Sequence, residues 1–576
     1  MSILPERVRH ALVRHGRPLL ADAGCLVALG LAASPAMADG WHHGHGHQGA
    51  PLIPGNLLLA TSDYVPADIT AGVTQLPPEC NIATPPDCAT AIANGDDFPS
   101  VFNNDSVDPF FGVTSPVYLD ELTPWGQHIG TVPVPDDQFV TSFSSKSELA
   151  LNLSPEGRYV SLMGYVAKPG QVDVSNANTP GVFDAGNGDV GPYYRVVAQL
   201  NRWGHFNFTE TNAYSGDNGR AAITNDENGQ DLIYAAGNAG QSSSPPPGVV
   251  SSTGAQFITP SSLPEADQNP GQPTPLGSFN ITELGDKGDK ATKDNNYRGI
   301  AVNDNVLYYT KGSGGNGVDT VYFIDTTGTA CSQSGPNGGV GLPASGASLP
   351  TSPPTLTPTL SPSYKGYGLQ PTNMCILKGF PTNLVPGTNT YPSTQKFPFG
   401  LWFANSHTLY VADEGSGDNP FANGQYTDAT AANEPDAGLE KWVLNNGTWS
   451  LAYTLQNGLD LGQPYTVPGY PTGVNALTNL PWAPATDGLR HLTGRVNRDG
   501  TVTIWATTST VSGSGDQGAD PNKLVEITDW LGATDPATAN YEWFRTLETA
   551  RDGQLLRGVS FTPGTSTFSG WGDDAR

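Results

Sequence analysis

Apolar residues in this chain fall in short runs, alternating or continuous, separated by Gly, Pro, Asn and Asp. Such runs are too short for helices and predict strands. They group in fours. Group one is 148–153, 159–165, 194–200 and 205–209; group two is 220–224, 231–236, 255–259 and 276–281. Group three is 298–302, 306–310, 320–324 and 374–379; group four is 399–403, 408–412, 439–444 and 449–455. Group five is 492–496, 501–507, 523–528 and 542–547. One strand at 556–561 is left over near the C-terminus, and three, at 56–61, 116–121 and 129–134, are left over near the N-terminus. Together they make a sixth group. This predicts an all-β, six-bladed β-propeller whose ring is closed by one C-terminal strand joining three N-terminal strands. A seventh blade would require strands hidden in 65–115 or 331–373.

The connections support this register. First-to-second links are tight and rich in residues that tolerate positive φ, as in Asn303-Asp304-Asn305 and Asn497-Arg498-Asp499-Gly500. Second-to-third links are long in nearly every group, about 65–115, 166–193, 237–254, 311–319, 413–437 and 508–522. In a propeller these links and the starts of the innermost strands share one rim. That loop-rich rim is the expected working face.

Arg7, Arg9, Arg14 and Arg17, a short apolar stretch from Cys25 to Ala33, and Ala36-Met37-Ala38 predict a cleavable signal peptide over 1–38. Export to the periplasm or outside the cell is expected. Residues 39–54 read as a His/Gly-rich disordered tail and 55–576 as a single propeller domain. The net charge of −27 argues against nucleic acid and anionic membranes as partners, and no run is long enough for a membrane span. Four cysteines remain after cleavage. Locality favours disulfides Cys80–Cys88 and Cys331–Cys375 among three possible connectivities.

Arginine recurs where innermost strands begin: Arg220, Arg298, Arg490 and Arg557, with Phe399 at that place in blade four. Guanidinium groups suit carboxylate or phosphate, so these residues, with Lys146 and Tyr214, are candidate ligand contacts; a repeat constraint between blades is the alternative. His491, beside this rim, is the candidate general base. The rim loops carry oxygen donors that suit Ca²⁺, chiefly Asp173, Asp184, Asp189, Asp413, Glu414 and Asp418, although turn-forming Asp and Asn explain many such residues. His42, His43, His45 and His47 form a flexible chelator for a transition metal.

Phe397-Pro398-Phe399-Gly400-Leu401-Trp402 and Thr408-Leu409-Tyr410-Val411-Ala412-Asp413-Glu414-Gly415 resemble the repeat of NHL and gluconolactonase-like propellers. The stretches 142–151, 214–223 and 438–455 resemble exported bacterial propellers. The first resemblance implies a divalent cation held by Glu, Asn and Asp from several blades. The resulting expectation is a rim that binds a small or polymeric anionic ligand, with Ca²⁺-dependent hydrolysis of an ester, lactone or phosphoester if the protein is an enzyme. The alternatives are a non-catalytic scaffold that binds a glycan or protein, and metal sequestration by the His-rich tail.

Overall fold

The computed structural model describes residues 51–65, 75–76, 89–90, 112–143, 149–172, 174–180, 182, 192–227, 231–238, 249–250, 253–261, 274–278, 296–312, 317–331, 339–358, 368–385, 395–475 and 479–566. It forms a six-bladed β-propeller of antiparallel blades. Blade one is Asn152–Leu153, Tyr159–Tyr165, Arg195–Asn201 and Phe206–Thr211; blade two is Gly219–Asn225, Leu232–Gly237, Ala255–Ile258 and Pro275–Gly277. Blade three is Ile300–Asn303, Val306–Lys311, Thr320–Ile324 and Met374–Leu377. Val340–Gly341 adds to its outer edge in parallel. Blade four is Pro398–Asn405, Thr408–Asp413, Gly438–Asn445 and Thr448–Leu455; blade five is Ala485–Val496, Thr501–Val511, Lys523–Trp530 and Arg545–Thr549. No described strand in 65–115 or 331–373 builds a seventh blade.

Blade six closes the ring as expected. Gln554–Phe561 pairs with Leu57–Asp63, which continues to Val117–Leu122 and His128–Pro133. Consecutive residues of Leu57–Ala60 serve two different cores, because side chains alternate across a strand. Leu57 and Leu59 pack with Trp505 and Leu524 of blade five. Leu58 and Ala60 pack with Leu162, Val196 and Ala198 of blade one. A blade buried on both faces reads as a continuous apolar run, and that is why this strand lacks polar alternation.

Innermost strands of successive blades touch around the ring. The contact is tightest at a glycine that follows the rim residue in Arg298-Gly299, Phe399-Gly400 and Arg557-Gly558. A Cβ on these glycines would overlap the carbonyl oxygens of Phe399, Arg490 and Leu149, each on the next innermost segment. No described helix is long and apolar enough to cross a membrane.

Candidate functional site: an acidic cleft of blade four and its seam with blade five

The first strand of blade five starts well before its predicted position and the second runs on past its predicted end, giving Ala485–Val496 and Thr501–Val511. Their pairing slips twice, between Thr486 and Leu489 and between Leu489 and Leu492. Bulges re-aim side chains and are common beside functional sites. Here they fall at Asp487-Gly488 and Arg490-His491, on the loop-rich rim. Opposite stands the long second-to-third link of blade four, which forms its own small hairpin, Phe421–Ala422 with Gln425–Tyr426.

Within this link and the approach to the first strand of blade four lies a cleft of about 250 Å³, lined by Phe397, Asp413, Asp418, Asp428, Glu434 and Asp436 among others, all on the blade-four side. Asp413 is buried and accepts from the Phe397 and Gly415 amides at 2.6 and 3.0 Å. Burial, reinforced by Glu440, holds its carboxyl well above the usual range. Lys396 reaches Asp436 at 2.8 Å and also pairs with Glu440. Burial, with the Asp428 charge added, raises Asp418.

Behind this wall two carboxylates from different blades converge over one glycine. Asp487 Oδ2 and Glu434 Oε2 lie 2.6 and 2.8 Å from the place a Cβ would take on Gly415. Gly415 also has φ +80°, so glycine is required there twice over. Asp487 is fully buried; its Oδ2 accepts from the Gly417 amide at 3.0 Å and from Gln517 Nε2 at 2.5 Å. Its Oδ1 has no hydrogen-bond partner among the described residues. Glu434 accepts from the Ser416 amide at 3.2 Å and from the Ser416 hydroxyl. Burial first, then the neighbouring Glu434 charge, pushes Asp487 far up. Burial also pushes Glu434 up to about 7, with Asp418 and Asp428 adding to the shift and the Ser416 hydrogen bonds opposing it. This crowded oxygen set disfavours its own ionised form. A cation brought beside the pair would relieve that repulsion.

The arginines stand on the same rim, beside rather than in the cleft. Arg298 and Arg490 flank the buried Phe399 ring, their Cζ atoms 5.4 and 5.0 Å from its centroid. The His491 ring meets Phe399 edge-on at 4.9 Å. Arg490 pairs with Glu414 at 3.2 Å, so Glu414 is an ion-pair partner. Arg490, His491 and Arg557 line one cavity of about 10 Å³, which is room for about one water. Arg220 is buried and donates to Asn296 and to the Tyr297 carbonyl. Tyr214 is also buried, its hydroxyl donating to the Gly254 carbonyl at 3.1 Å, so its ring is not presented to a ligand.

The disulfide Cys331–Cys375 is formed, with a Cα–Cα separation of 5.6 Å. Asp325 lies beside those sulfurs. Its carboxylate accepts from the amides of Thr327, Gly328, Ala330 and Cys331, and the thiols are spent in the bridge, so the group is a loop staple. Lys146, Asp173, Asp184, Asp189, Cys80, Cys88, residues 1–38, and His42, His43, His45 and His47 lie outside the described residues.

Sequence reasoning missed Glu434, Asp428, Asp436 and Asp487. The signal was the length of the 413–437 link, whose first acids alone were singled out, and the Asp487-Gly488 step ahead of an innermost strand. It also missed Arg195, a fully buried guanidinium donating to the carbonyls of Tyr193, Ser175 and Asp217. Burial lowers its pKa to about 10. No protein-family model and no curated protein matches this chain.

Proposed function

We propose that this chain is an exported propeller that holds a divalent cation, calcium by the chemistry of its donors, at the seam of blades four and five, beside the acidic cleft of blade four. The cation would serve a small or polymeric anionic ligand on the loop-rich rim. The observation that carries this reading is the convergence of Asp487 and Glu434 on Gly415, with one Asp487 oxygen unmatched. Asp487, Glu434 and the Ser416 hydroxyl would hold the ion, and Asp418 and Asp428 would add field from the cleft side. The ion would supply a fixed positive charge, and the half-buried Arg298 and Arg490 would extend that charge toward the channel mouth. Blade four, whose repeat resembles that of NHL and gluconolactonase-like propellers, lines the cleft. That likeness supports the cation reading.

Calcium titration by calorimetry tests it. A Kd in the range of extracellular sites, about 0.1–1 mM or tighter, is expected, with loss of binding in Glu434→Gln. No heat with calcium, magnesium or manganese rejects the reading.

A second reading, hydrolysis of an ester, lactone or phosphoester, draws on the shared cavity of Arg490, His491 and Arg557. Arg490 and Arg557 would stabilise an oxyanion and His491 would take a proton from water. Turnover of aryl ester and aryl phosphate substrates, lost in His491→Ala with the melting temperature kept, would support it. No turnover with either class, with or without calcium, rejects it.

A further inference from the structure

The rim opposite the acidic cleft carries a second, larger pocket of about 510 Å³, within the roughly 300–1,000 Å³ of small-molecule sites. It lies where the first-to-second hairpins of blades three and four meet the 339–350 segment. Its apolar floor is Val306, Tyr308, Leu444 and Trp449. The floor is braced from below: Tyr308 packs on Phe403 with centroids 4.5 Å apart, and Phe403 meets Trp449 edge-on at 6.1 Å.

The outer wall is built into the blade. Val340–Gly341 pairs in parallel with Met374–Leu377. The Lys378 amide donates to the Gly341 carbonyl at 2.8 Å, and Tyr234 donates to the Pro350 carbonyl. The Cys331–Cys375 disulfide ties the start of this excursion to the same strand. Leu342 through Ala347 then face the two hairpins across the opening.

Among the described residues, the polar groups at the mouth are the amides and hydroxyls of Asn303, Asn305, Ser345 and Ser406, with the carboxylate of Asp304. Asp304 and Asn305 both have positive φ, 48° and 60°, which fixes the tight turn that sets them at the edge. Among the described residues no Lys, Arg or His lines the pocket, and the chain carries −27, so an anion finds no described counter-charge here. Groups that donate and accept at once match hydroxyl-bearing ligands, and the half-buried Leu342 and Leu444 match a C–H face.

We propose that this pocket binds a neutral saccharide unit, its apolar face against Leu342, Leu444 and the small exposed parts of the otherwise buried Tyr308 and Trp449, and its hydroxyls toward Asn303, Asn305 and the two serines. The site is independent of the acidic cleft and of any cation there.

The test is saturation-transfer NMR on the full chain with methyl glycosides of glucose, galactose, mannose, xylose and N-acetylglucosamine, each at millimolar concentration. At least one should bind, in EDTA as in calcium. Ser345→Trp, at an exposed wall position, should weaken that binding by at least about tenfold with the melting temperature unchanged. Glucuronate should bind more weakly than methyl glucoside. No signal from any glycoside, binding indifferent to Ser345→Trp, or equal binding of glucuronate overturns the proposal. If Ser345→Trp lowers the melting temperature, Ala344→Phe with the same readouts takes its place.

Discussion

Two second-to-third links on the same rim handle buried carboxylates in opposite ways. In blade three, Asp319 is buried, and Lys311 of the same blade meets it at 2.6 Å. Gln395 donates to its other oxygen at 3.3 Å. Burial still raises the Asp319 carboxyl, with Lys311 opposing that shift. At the junction of blades four and five, Asp487 and Glu434 face each other across Gly415 with only neutral donors as direct hydrogen-bond partners. The nearby cations are engaged elsewhere, Lys396 by Asp436 and Glu440, and Arg490 by Glu414. A carboxylate with a cation of its own is finished structure. A pair without one gains from a charge brought from outside.

The comparison breaks first at Lys311. Lys311→Met should strand Asp319 as a buried charge and cost about 3–5 kcal/mol in urea unfolding, whereas Glu434→Gln in EDTA should cost nothing or stabilise. If both variants lose stability equally, the two sites are alike and the distinction fails.

Calcium sharpens it next. At a hundredfold excess over Kd, the wild type should gain about 2.7 kcal/mol of unfolding free energy, and Asp487→Asn should gain none. Thermal or urea unfolding with and without EDTA measures this. An equal gain in both proteins would place the ion elsewhere.

The pH dependence is smaller and has a defined sign. Glu434 is raised from 4.5 to about 7, so the folded chain holds its proton while the unfolded chain gives it up. Without calcium, its contribution is fully present below about 4.5 and is lost as pH rises through about 7. One pKa unit corresponds to about 1.4 kcal/mol, and solvent at this half-buried group reduces the total to roughly 2 kcal/mol. Calcium at pH 8 should restore it, and Glu434→Gln should flatten this part of the profile. A profile unchanged by Glu434→Gln would show that Glu434 titrates normally.

The least effect is expected at Asp418, which is exposed at the cleft edge. Asp418→Asn should weaken calcium affinity by about twofold to fivefold, fading with salt, as expected of an exposed charge. A complete loss of binding would make it a direct ligand and move the site outward.

The strands were legible because their signals are local. Asn303-Asp304-Asn305 between two apolar runs specifies a hairpin wherever it sits, and Leu57–Ala60, apolar at every position, announces burial on both faces. The recurring arginines were also legible, but their partners were not. Arg490 meets Glu414 and Arg220 meets Asn296, pairs joined only when blades pack side by side. Asp413 and Glu414 pointed to the right loop, yet both turned out to be engaged, one by backbone amides and the other by Arg490.

The sequence alone determined the groups of four strands, the closure of the last group by the two ends of the chain and the loop-rich rim, and it favoured Cys331–Cys375 among three connectivities. Turn chemistry, side-chain alternation and proximity along the chain act over short distances or count repeats. Only the tertiary structure decided which acids meet. Glu434 ends a long excursion of blade four and Asp487 sits on a bulge of blade five. They share the space over Gly415 because closing the ring presses neighbouring blades together, and no pattern along the chain encodes a distance between two loops on different blades.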